Sequence, residues 1–473
     1  MRGDLRFAVG SFGVLVTLAA CGGGGSSGSG GGTTYTTTTA TKSTTTTANP
    51  DIGLSFDTAE EVEIGSPVTG DLGTPAAPYY YKFQGQKGQL LQITTLAQTS
   101  AKPFDPAVID SVVTLYDDTR TAIAENADPT PYTSTDASLF TVLPKDGTYY
   151  VLVQDCFTWT NLPSRYCTGS VERGVSMFTF GVLPVEANQA GRVKDKEPND
   201  GASSAQALTY QKGPKSYYLT VSWGDFGSAS DVDVFSFKIP SDYLPASSSG
   251  RAMLQMWFNK PGPKASGATT SAGNIYLTTA DAPGVKLASF AGTDFDNGTR
   301  APLFAPPLDV SKTYLLFIEH PAGALGENPF YVGMHGAGLS NPLELKDAEN
   351  GDPTKAETAA FDAGGLAYAE GDLADADVDY WALDLTGKPT TSRLQTYCTG
   401  QRSGSGVRGM KVEVLKGDAT ALSPAITTTE SAGADALTGL VPINGTKMLV
   451  KVTKASQAAD VTGTFYRCVF FVR

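Results

Sequence analysis

The sequence is poor in the side chains that most often carry out bond-making chemistry. Its 473 residues include two histidines, His320 and His335, and five cysteines. A Ser–His–acid triad would need one of these histidines beside a serine and a carboxylate. Two histidines also scarcely supply the nitrogen ligands of a zinc site. The composition therefore argues against a zinc site and favours solvated or packed histidines over catalytic ones.

Catalytic sequence motifs are missing as well. No HExxH pattern occurs, and the match to GxSxG at residues 24–28 lies in a glycine- and serine-rich stretch, without the strand and helix that such a motif needs. Carboxylates are numerous, and the acid pair of a glycosidase need not be close in sequence, so an unrecognised hydrolase stays open as a third hypothesis. Nothing selects any pair of carboxylates. We therefore predict that the protein is not an enzyme.

Basic residues are outnumbered by acidic ones. The chain has 35 Lys and Arg against 48 Asp and Glu, which gives a net charge of −13 and a pI near 4.7. Nucleic acid binding depends on Lys and Arg to displace counterions from phosphates. The charge balance therefore predicts no nucleic acid partner.

Long apolar runs are scarce, and the notable one lies near the N-terminus. Arg2 and Arg6 come before an uncharged, largely apolar run at residues 7–18. Two alanines follow this run. The run is shorter than the ~20 residues that a membrane-crossing helix needs. This order of charged, apolar and small residues predicts a signal peptide over residues 1–20 rather than a permanent helical anchor.

Residues 18–21, Leu-Ala-Ala-Cys, resemble the bacterial lipobox. The resemblance implies that Cys21 is acylated and becomes the mature N-terminus, and two or more acyl chains hold a protein stably on a membrane. Gly22, in place of the Asp that commonly retains lipoproteins at the inner membrane, favours the outer membrane, with surface exposure of the protein left open. The alternative is an ordinary cleaved signal with an incidental cysteine.

Residues 21–50 form a tether of glycine, serine and threonine. This segment has too few apolar groups to offset the entropy of ordering, so we predict that it is disordered. At ~5–6 Å × √n, it would place the folded part roughly 30 Å from the lipid surface.

The cysteines after Cys21 are Cys156, Cys167, Cys398 and Cys468. An even number of cysteines in an exported chain predicts two disulfides. Three connectivities are possible, and locality favours Cys156 with Cys167 and Cys398 with Cys468. Zinc is the competing use, but the spacings are not those of CxxC pairs.

Short runs of β-branched and aromatic residues recur after residue 50, separated by Gly, Pro, Asp and Asn. Helical periodicity is hard to find there. Alternating apolar positions indicate strands with one buried face, and many such strands with frequent turns indicate β-sandwiches. The predicted inward-facing sets are Phe178, Phe180 and Val182; Phe235, Phe237 and Ile239; and Met448, Val450 and Val452.

The same order of segments occurs three times, which predicts three units at residues 51–190, 191–340 and 341–473. Each has two earlier segments and then a turn followed by a strand, as in residues 146–153, 312–318 and 444–450. These segments resemble the bacterial pre-peptidase C-terminal domain, which is related to collagen-binding modules. The resemblance implies three consecutive jelly-roll-like β-sandwiches, and the whole chain is expected to be mostly β.

The family resemblance also implies structural calcium, because an acidic cluster and a later pair of aspartates can hold that ion and hard oxygen ligands are what calcium requires. The alternative is that residues 198–201, Pro-Asn-Asp-Gly, are simply a turn. The matching positions are Glu197, Asn199, Asp200, Asp231 and Asp233 in the second unit, and Glu349, Asp352, Asp377 and Asp379 in the third.

Two non-enzymatic functions fit these features. The first is an envelope-anchored protein whose sandwiches bind an extracellular polysaccharide or protein, as in adhesion or targeting. Tyr79, Tyr80 and Tyr81 cannot all face inward on one strand, and an exposed tyrosine is a common anchor for such partners. The second is a structural or accessory partner of a secreted protease or an envelope complex. The fold alone cannot choose between them.

Overall fold

The structure is a computed structural model, and it describes most of the chain after residue 51. The signal peptide, Cys21, the tether and Cys167 lie outside the described residues. The described residues are 52–73, 76–97, 108–127, 136–159, 174–212, 218–228, 230–240, 251–253, 255–258, 262, 266–269, 273–291, 303–304, 307–320, 326–337, 344, 349–361, 365–374, 376–400, 405–430, 435–455 and 464–472.

The described part of the chain is built from β-strands and one 3₁₀ helix at Pro353–Lys355, so the predicted mostly β fold class is confirmed. Over these same residues, none of the helical structure has the length and apolar character of a membrane span. The strands form pairs of facing sheets, as expected for repeated jelly-roll-like domains. We call the three pairs unit 1, unit 2 and unit 3; the predicted limits of these units stay a prediction.

Unit 1 has one five-stranded and one four-stranded sheet. Its strands are β1 (Glu60–Glu61), β2 (Val68–Asp71), β3 (Tyr79–Gly85), β4 (Leu90–Leu96), β5 (Ser111–Tyr116), β6 (Ala122–Asn126), β7 (Ser138–Val142), β8 (Gly147–Asp155) and β9 (Met177–Pro184). The strand orders are β1-β3-β8-β5-β6 and β2-β9-β4-β7. The pair β1–β3 is parallel and the other pairs are antiparallel.

Unit 2 repeats this architecture with additional short strands. Its strands are β10 (Arg192–Lys194), β11 (Gln206–Ala207), β12 (Gln211–Lys212), β13 (Tyr218–Asp225), β14 (Val232–Phe237), β15 (Arg251–Met253), β16 (Gln255–Phe258), β17 (Asn274–Thr279), β18 (Ala288–Ala291), β19 (Leu303–Phe304), β20 (Pro307–Asp309), β21 (Tyr314–Glu319) and β22 (Phe330–Ala337). The main orders are β11-β14-β21-β17-β18 and β10-β13-β22-β16-β19, with a small β15-β20 ribbon.

Unit 3 has the same two sheets. Its strands are β23 (Glu357–Ala359), β24 (Leu366–Asp372), β25 (Val378–Asp384), β26 (Arg393–Thr399), β27 (Met410–Lys416), β28 (Ala421–Glu430), β29 (Ala436–Leu437), β30 (Val441–Pro442), β31 (Lys447–Lys454) and β32 (Phe465–Val472). The orders are β23-β25-β31-β27-β28 and β24-β32-β26-β29, and β30 also pairs with β26.

A hydrophobic core lies between the two sheets of each unit. The inward-facing sets predicted from period-two alternation are all buried. Burying a large apolar side chain contributes roughly 1.5–3 kcal/mol, which offsets part of the entropy of ordering these short strands. The alternation of the sequence therefore specifies which face of each strand meets its partner sheet.

Unit 1 and unit 2 share a separate apolar cluster. Leu90, Phe140, Val142 and Val185 of unit 1 belong to it together with Val221, Trp223, Ala268, Phe330 and Val332 of unit 2. Asn328 Nδ2 also donates to Val142 O at 3.1 Å. These contacts join the edge of one sandwich to a sheet face of the next.

Cys398 and Cys468 form a disulfide, as predicted. They lie directly opposite each other on β26 and β32 and are fully buried. Cys156 is buried and disulfide-bonded as well. Its predicted partner, Cys167, lies outside the described residues.

Candidate metal centre and aromatic face

Matching backbone contacts relate the three units residue by residue. The amides of Leu72, Phe226 and Leu373 donate to the carbonyls of Ser176, Pro329 and Thr464. Two residues before each of these amides lies a glycine: Gly70, Gly224 and Gly371. Each glycine is opposite an aromatic residue: Phe178, Tyr331 or Tyr466. These correspondences show which side chains occupy the same place in each unit.

In unit 2, a cluster of carboxylates lies beside Gly224 and the aromatic residue opposite it, Tyr331. The segment of residues 195–200, which we call the leading segment of unit 2, lies between β10 and β11. It is held by backbone bonds from Asp195 N to Trp223 O (2.7 Å) and from Val234 N to Asn199 O (3.2 Å). Asp231 immediately precedes β14 and Asp233 lies on it. Two chain segments about 35 residues apart in sequence thereby present their acidic side chains to one point.

The carboxylate oxygens of this cluster converge closely. One group contains Asp195, Glu197 and Asp233. A second group contains Glu197, Asp200 and Asp231. In each group, one carboxylate oxygen from each residue lies within 4.8 Å of the oxygens of the other two. All five predicted unit 2 residues are brought together, since Asn199 is buried and donates through Nδ2 to Asp195 Oδ1 at 2.5 Å.

Burial dominates the electrostatics of the cluster. It raises the pKa of Asp233 to about 8, with the negative charge of Asp195 as the next cause. Burial also raises the pKa values of Asp195 and Glu197, and the neighbouring carboxylates add to the effect. Carboxylates held together in this way repel one another, so they need either protons or a cation.

The donor set fits a hard divalent cation. Asn199 and Asp233 are fully buried, and Asn199 Oδ1 has no hydrogen-bond partner. Leaving buried polar oxygens unpaired costs free energy, whereas calcium takes six to eight oxygen ligands. The acidic clusters of unit 2 could therefore hold a metal ion.

Sequence reasoning missed two members of this site. Asp195 belongs to the first group of oxygens, and Tyr331 lies against Asp233, its hydroxyl acting to lower the pKa of that carboxyl. The alternation of Asp195, Glu197 and Asn199 could have revealed the first. Tyr331 is about 100 residues away in the chain, and no local pattern points to it.

Unit 3 carries a related but smaller cluster. Asn350 Nδ2 donates to Asp379 Oδ1 at 3.0 Å and to Glu344 Oε1, and Glu344 Oε2 accepts from Asp372 N at 2.9 Å. Burial, followed by the hydrogen bond and charge of Glu344, raises the pKa of Asp379 to about 9. Glu344 and Asn350 were not predicted as site residues.

The four residues predicted for unit 3 are not all at this cluster. Asp379 is part of it, and the charge of Asp377 acts on Asp379. Glu349 is exposed, and exposed Asp352 caps the 3₁₀ helix by accepting from Thr354 N at 2.9 Å. The structure thus brings together Asp377 and Asp379 but places Asp352 in a turn.

Unit 1 has an aromatic ring at the equivalent place. Gly53 O accepts from Tyr80 N, as Asn199 O accepts from Val234 N and Asn350 O from Tyr380 N. A Cβ atom at Gly53 would overlap the ring of Tyr79. The Tyr79 hydroxyl donates to Glu60 Oε2 at 2.7 Å, so one ring and one carboxylate replace the acidic cluster.

Neither histidine is part of a catalytic triad among the described residues. His335 Nε2 lies 3.0 Å from Ser222 Oγ, but the pair is fully buried and His335 Nδ1 has no hydrogen-bond partner. Burial lowers the pKa of His335 to about 3. His320 packs edge-on against Phe226 at 5.2 Å, and neither ring nitrogen is hydrogen-bonded.

Unit 1 also presents a cluster of partly exposed rings. Tyr80, Tyr150 and Tyr116 lie on the adjacent strands β3, β8 and β5, and the ring of Phe56 packs on all three at 4.7, 5.4 and 5.0 Å. Arg120 lies 5.3 Å above Phe56 and pairs with Asp57. We call these four rings and Arg120 the aromatic face.

The tyrosines of the aromatic face have no counterparts at the same positions of unit 2. The strand registers give the matching residues of unit 2, which are Val234 for Tyr80, Leu315 for Tyr150 and Thr278 for Tyr116. Tyr81, the neighbour of Tyr80, points the other way and stacks on Phe180 at 4.1 Å in the core. The run of tyrosines at residues 79–81 is therefore divided between the core and the surface.

Parts of the chain are similar to known proteins. Residues 79–155 match the family described as the bacterial pre-peptidase C-terminal domain. No match was found among the curated proteins. A similar solved structure is the pre-peptidase C-terminal domain of a collagenase from Bacillus anthracis, at 14% identity and a TM-score of 0.19, covering 26% of this chain and 93% of that one.

Two further solved structures resemble longer stretches of the chain. One is a secreted protein from Eubacterium rectale, at 12% identity and a TM-score of 0.19, covering 62% of this chain and 84% of that one. The other is the tandem CBM51 modules of a family 98 glycoside hydrolase from Streptococcus pneumoniae, at 10% identity and a TM-score of 0.16, covering 57% and 84%.

Proposed function

We propose that this protein is a non-enzymatic, lipid-anchored protein of the cell envelope whose unit 1 binds an extracellular polymer or protein. The observation that carries the proposal is the aromatic face. Three of its rings, Tyr80, Tyr116 and Tyr150, lie within residues 79–155, which match a non-catalytic module.

The aromatic face has the properties of a binding surface. Tyrosine rings combine a large apolar area with a hydroxyl that can hydrogen-bond, and they lose little side-chain entropy when they are held. Their neighbours on the sheet restrict the rings, and Phe56 and Arg120 join them from other segments. A rigid sheet with partly exposed rings suits an extended ligand that crosses several strands.

The N-terminal pattern supports anchoring to a membrane. In this proposal Cys21 carries the lipid, residues 21–50 are the tether, and the sandwiches stand away from the outer membrane. A lipid anchor would concentrate the aromatic face near its extracellular ligand. Globomycin treatment of cells should cause an unprocessed form to accumulate, and a Cys21→Ser variant should not partition into detergent.

Calcium is the cation that we propose for unit 2. Asp195, Glu197, Asn199, Asp200, Asp231 and Asp233 would hold it. A bound calcium ion supplies positive charge to a site with five carboxylates. The residues of the leading segment would then be fixed to the strand that carries Asp233, which is a structural role.

Binding by the aromatic face can be tested with a Tyr116→Ala/Tyr150→Ala variant. The purified protein would be sedimented with insoluble cellulose, chitin, peptidoglycan and collagen fibrils. For whichever polymer the wild type binds, we expect at least a tenfold loss of affinity, because removing buried anchor rings commonly costs more than about 1.4 kcal/mol.

Tyr380 offers a matched control, since it occupies the place of Tyr80 in unit 3. A Tyr380→Ala variant should bind as the wild type does. If the wild type binds none of the polymers, or if both variants bind equally well, the proposed role of the aromatic face is wrong.

A structural or accessory role is the second candidate, and the shared cluster of units 1 and 2 favours it. Nine apolar residues from both units hold the sandwiches together, as a rigid spacer would require. Affinity purification from intact cells separates the two functions. A stoichiometric envelope protein, recovered equally well with the Tyr116→Ala/Tyr150→Ala variant, would support the accessory role.

A further inference from the structure

The clusters of units 2 and 3 occupy the same place but differ in their ligands. Asn199 in unit 2 and Asn350 in unit 3 make the same backbone contact to the following strand. Glu197 lies two residues before Asn199, and Asp200 follows it. At the corresponding sequence positions around Asn350 are Ala348 and Gly351. Counted from the asparagine, the unit 3 sequence therefore has no carboxylate at either of these two positions.

The oxygens in unit 3 are also arranged differently. Among the described residues, groups of three acidic side chains with converging oxygens occur at the unit 2 cluster only. In unit 3 the amide of Asn350 joins Glu344 to Asp379, and Asp372 N donates to Glu344. These bonds place Glu344 Oε1, Glu344 Oε2 and Asp379 Oδ1 on donors of the protein itself.

A tryptophan adds a further hydrogen bond in unit 3. Trp381 Nε1 donates to the Tyr466 hydroxyl at 2.7 Å, and both side chains are fully buried. The strand registers place Phe235 at the position of Trp381 in unit 2, where no such donor exists. The unit 3 cluster is therefore tied into the core through side chains that unit 2 does not have.

We propose that the cation requirement is confined to unit 2, and that unit 3 contains a metal-independent copy of the same site. This inference rests on the proposed calcium site of unit 2. Unit 1, with Tyr79 and Glu60 at the equivalent place, likewise needs no cation. Removal of calcium should then loosen unit 2 at its leading segment and leave unit 3 unchanged.

Calorimetric titration of the full chain with calcium chloride tests this proposal. We expect a Glu197→Gln/Asp200→Asn variant to lose calcium binding at least a hundredfold. A Glu344→Gln variant and an Asp377→Asn variant should bind with the wild-type stoichiometry and affinity. Binding that survives in the unit 2 variant and disappears in the Asp377→Asn variant would overturn the proposal.

Hydrogen exchange keeps the test independent of any variant that fails to fold. In the wild-type chain, chelation should increase exchange in residues 195–200 and 230–237, and exchange in residues 349–360 and 377–384 should not change. Equal increases in both regions would contradict the inference. If calcium changes neither binding heat nor exchange, the calcium site itself is wrong.

A gain-of-function variant tests the structural reason. Gly351→Asp would supply a carboxylate at the position after Asn350, which Asp200 holds after Asn199 in unit 2. A Cβ atom at Gly351 would lie 3.3 Å from Val378 O, so only a small shift is needed. We expect additional calcium binding that Asp377→Asn then abolishes. A folded variant without it would show that this carboxylate is not what distinguishes the units.

Discussion

The core of unit 2 contains one polar pair that the other units replace with apolar side chains. His335 and Ser222 lie 3.0 Å apart on neighbouring strands and are fully buried. The strand registers place Phe470 and Ala369 at these positions in unit 3. A histidine in such a place is held neutral, because an apolar core stabilises the uncharged form.

Acid should therefore destabilise unit 2 through His335. A histidine titrates near 6.5 in an unfolded chain, whereas burial lowers the pKa of His335 to about 3. Above pH ~6.5 the ring is neutral in both states. Between these values only the unfolded chain takes the proton, so stability falls as the pH drops, by up to about 1.4 kcal/mol per pH unit.

The unit 3 residues supply the matched variant for this prediction. Denaturant unfolding of Ser222→Ala/His335→Phe between pH 7 and 4 should show a smaller loss of stability than the wild type. The same acid sensitivity in both proteins would mean that His335 is not the group responsible.

Asp233 should produce the opposite dependence when no cation is present. Its pKa is about 8 in the native state, against about 3.9 in an unfolded chain. Between these values the native state holds a proton that the unfolded state lacks, so unfolding becomes easier as the pH rises from 4 to 8. Calcium should reduce this dependence, because it stabilises the ionised carboxylate.

Urea unfolding in chelator at pH 5 and pH 8 measures the effect of Asp233. The free energy of unfolding should fall more in the wild type than in an Asp233→Asn variant, whose amide cannot titrate. If the wild type is equally stable at both pH values and the variant is not, the assignment is wrong.

At the scale of the strands, unit 3 has a covalent link between neighbouring strands of one sheet. Cys398 and Cys468 are directly opposite on β26 and β32, with a sequence separation of 70. Several strands lie between them in sequence, β27 to β31. The bond thus restricts the unfolded chain over most of unit 3.

Removal of this disulfide should destabilise unit 3. We expect Cys398→Ala/Cys468→Ala to lower its free energy of unfolding by about 2–4 kcal/mol, since closing a long loop reduces the entropy of the unfolded state. Denaturant unfolding under non-reducing conditions measures the change. In reducing buffer the wild type should approach the variant, and a difference that persists there would point to lost packing instead.

At the scale of the whole molecule, the sandwiches stack in series. One residue in each unit occupies the same position: Met177 in unit 1, Phe330 in unit 2 and Phe465 in unit 3. Each comes directly after the residue whose carbonyl accepts from Leu72 N, Phe226 N or Leu373 N, respectively. Phe330 is fully buried among residues of units 1 and 2, and Phe465 of unit 3 packs with the core cluster of unit 2. Met177 of unit 1 is 55% exposed.

The face of unit 1 that carries Met177 is more polar than its counterpart in unit 2. Thr69 and Thr179 take the places of Trp223 and Val332, which are buried between units 1 and 2. Terminal members of a stacked series commonly have polar outer faces, since no neighbour covers them. Unit 1 therefore has the surface expected at the end of the series.

Equivalent substitutions at Phe330 and Met177 should have different effects. Phe330→Ser should lower the stability of unit 2 by about 3–5 kcal/mol, because a fully buried ring is lost. Met177→Ser should change stability by less than about 0.5 kcal/mol. Denaturant unfolding measures both, and small-angle scattering should show a larger radius of gyration for the Phe330 variant alone. Similar losses in both variants would refute the stacking interpretation.

The sequence by itself determined the fold class and the repeated order of the strands. Alternation of apolar residues is a local property, and it identified inward-facing sets such as Phe235, Phe237 and Ile239 because a strand must bury one face. The acidic residues around Asn199 were indicated by the family resemblance, which rests on short motifs of neighbouring residues. Closeness in sequence favoured the pairing of Cys398 with Cys468.

Only the tertiary structure decided which polar groups meet. Tyr331 and Glu344 reach their clusters through strand pairing across long stretches of chain, and Asp352, which resembles a ligand in sequence, caps a turn instead. Phe56 joins three tyrosines from separate strands in the same way. Such contacts depend on how sheets pack in three dimensions, and the local order of residues does not contain that information.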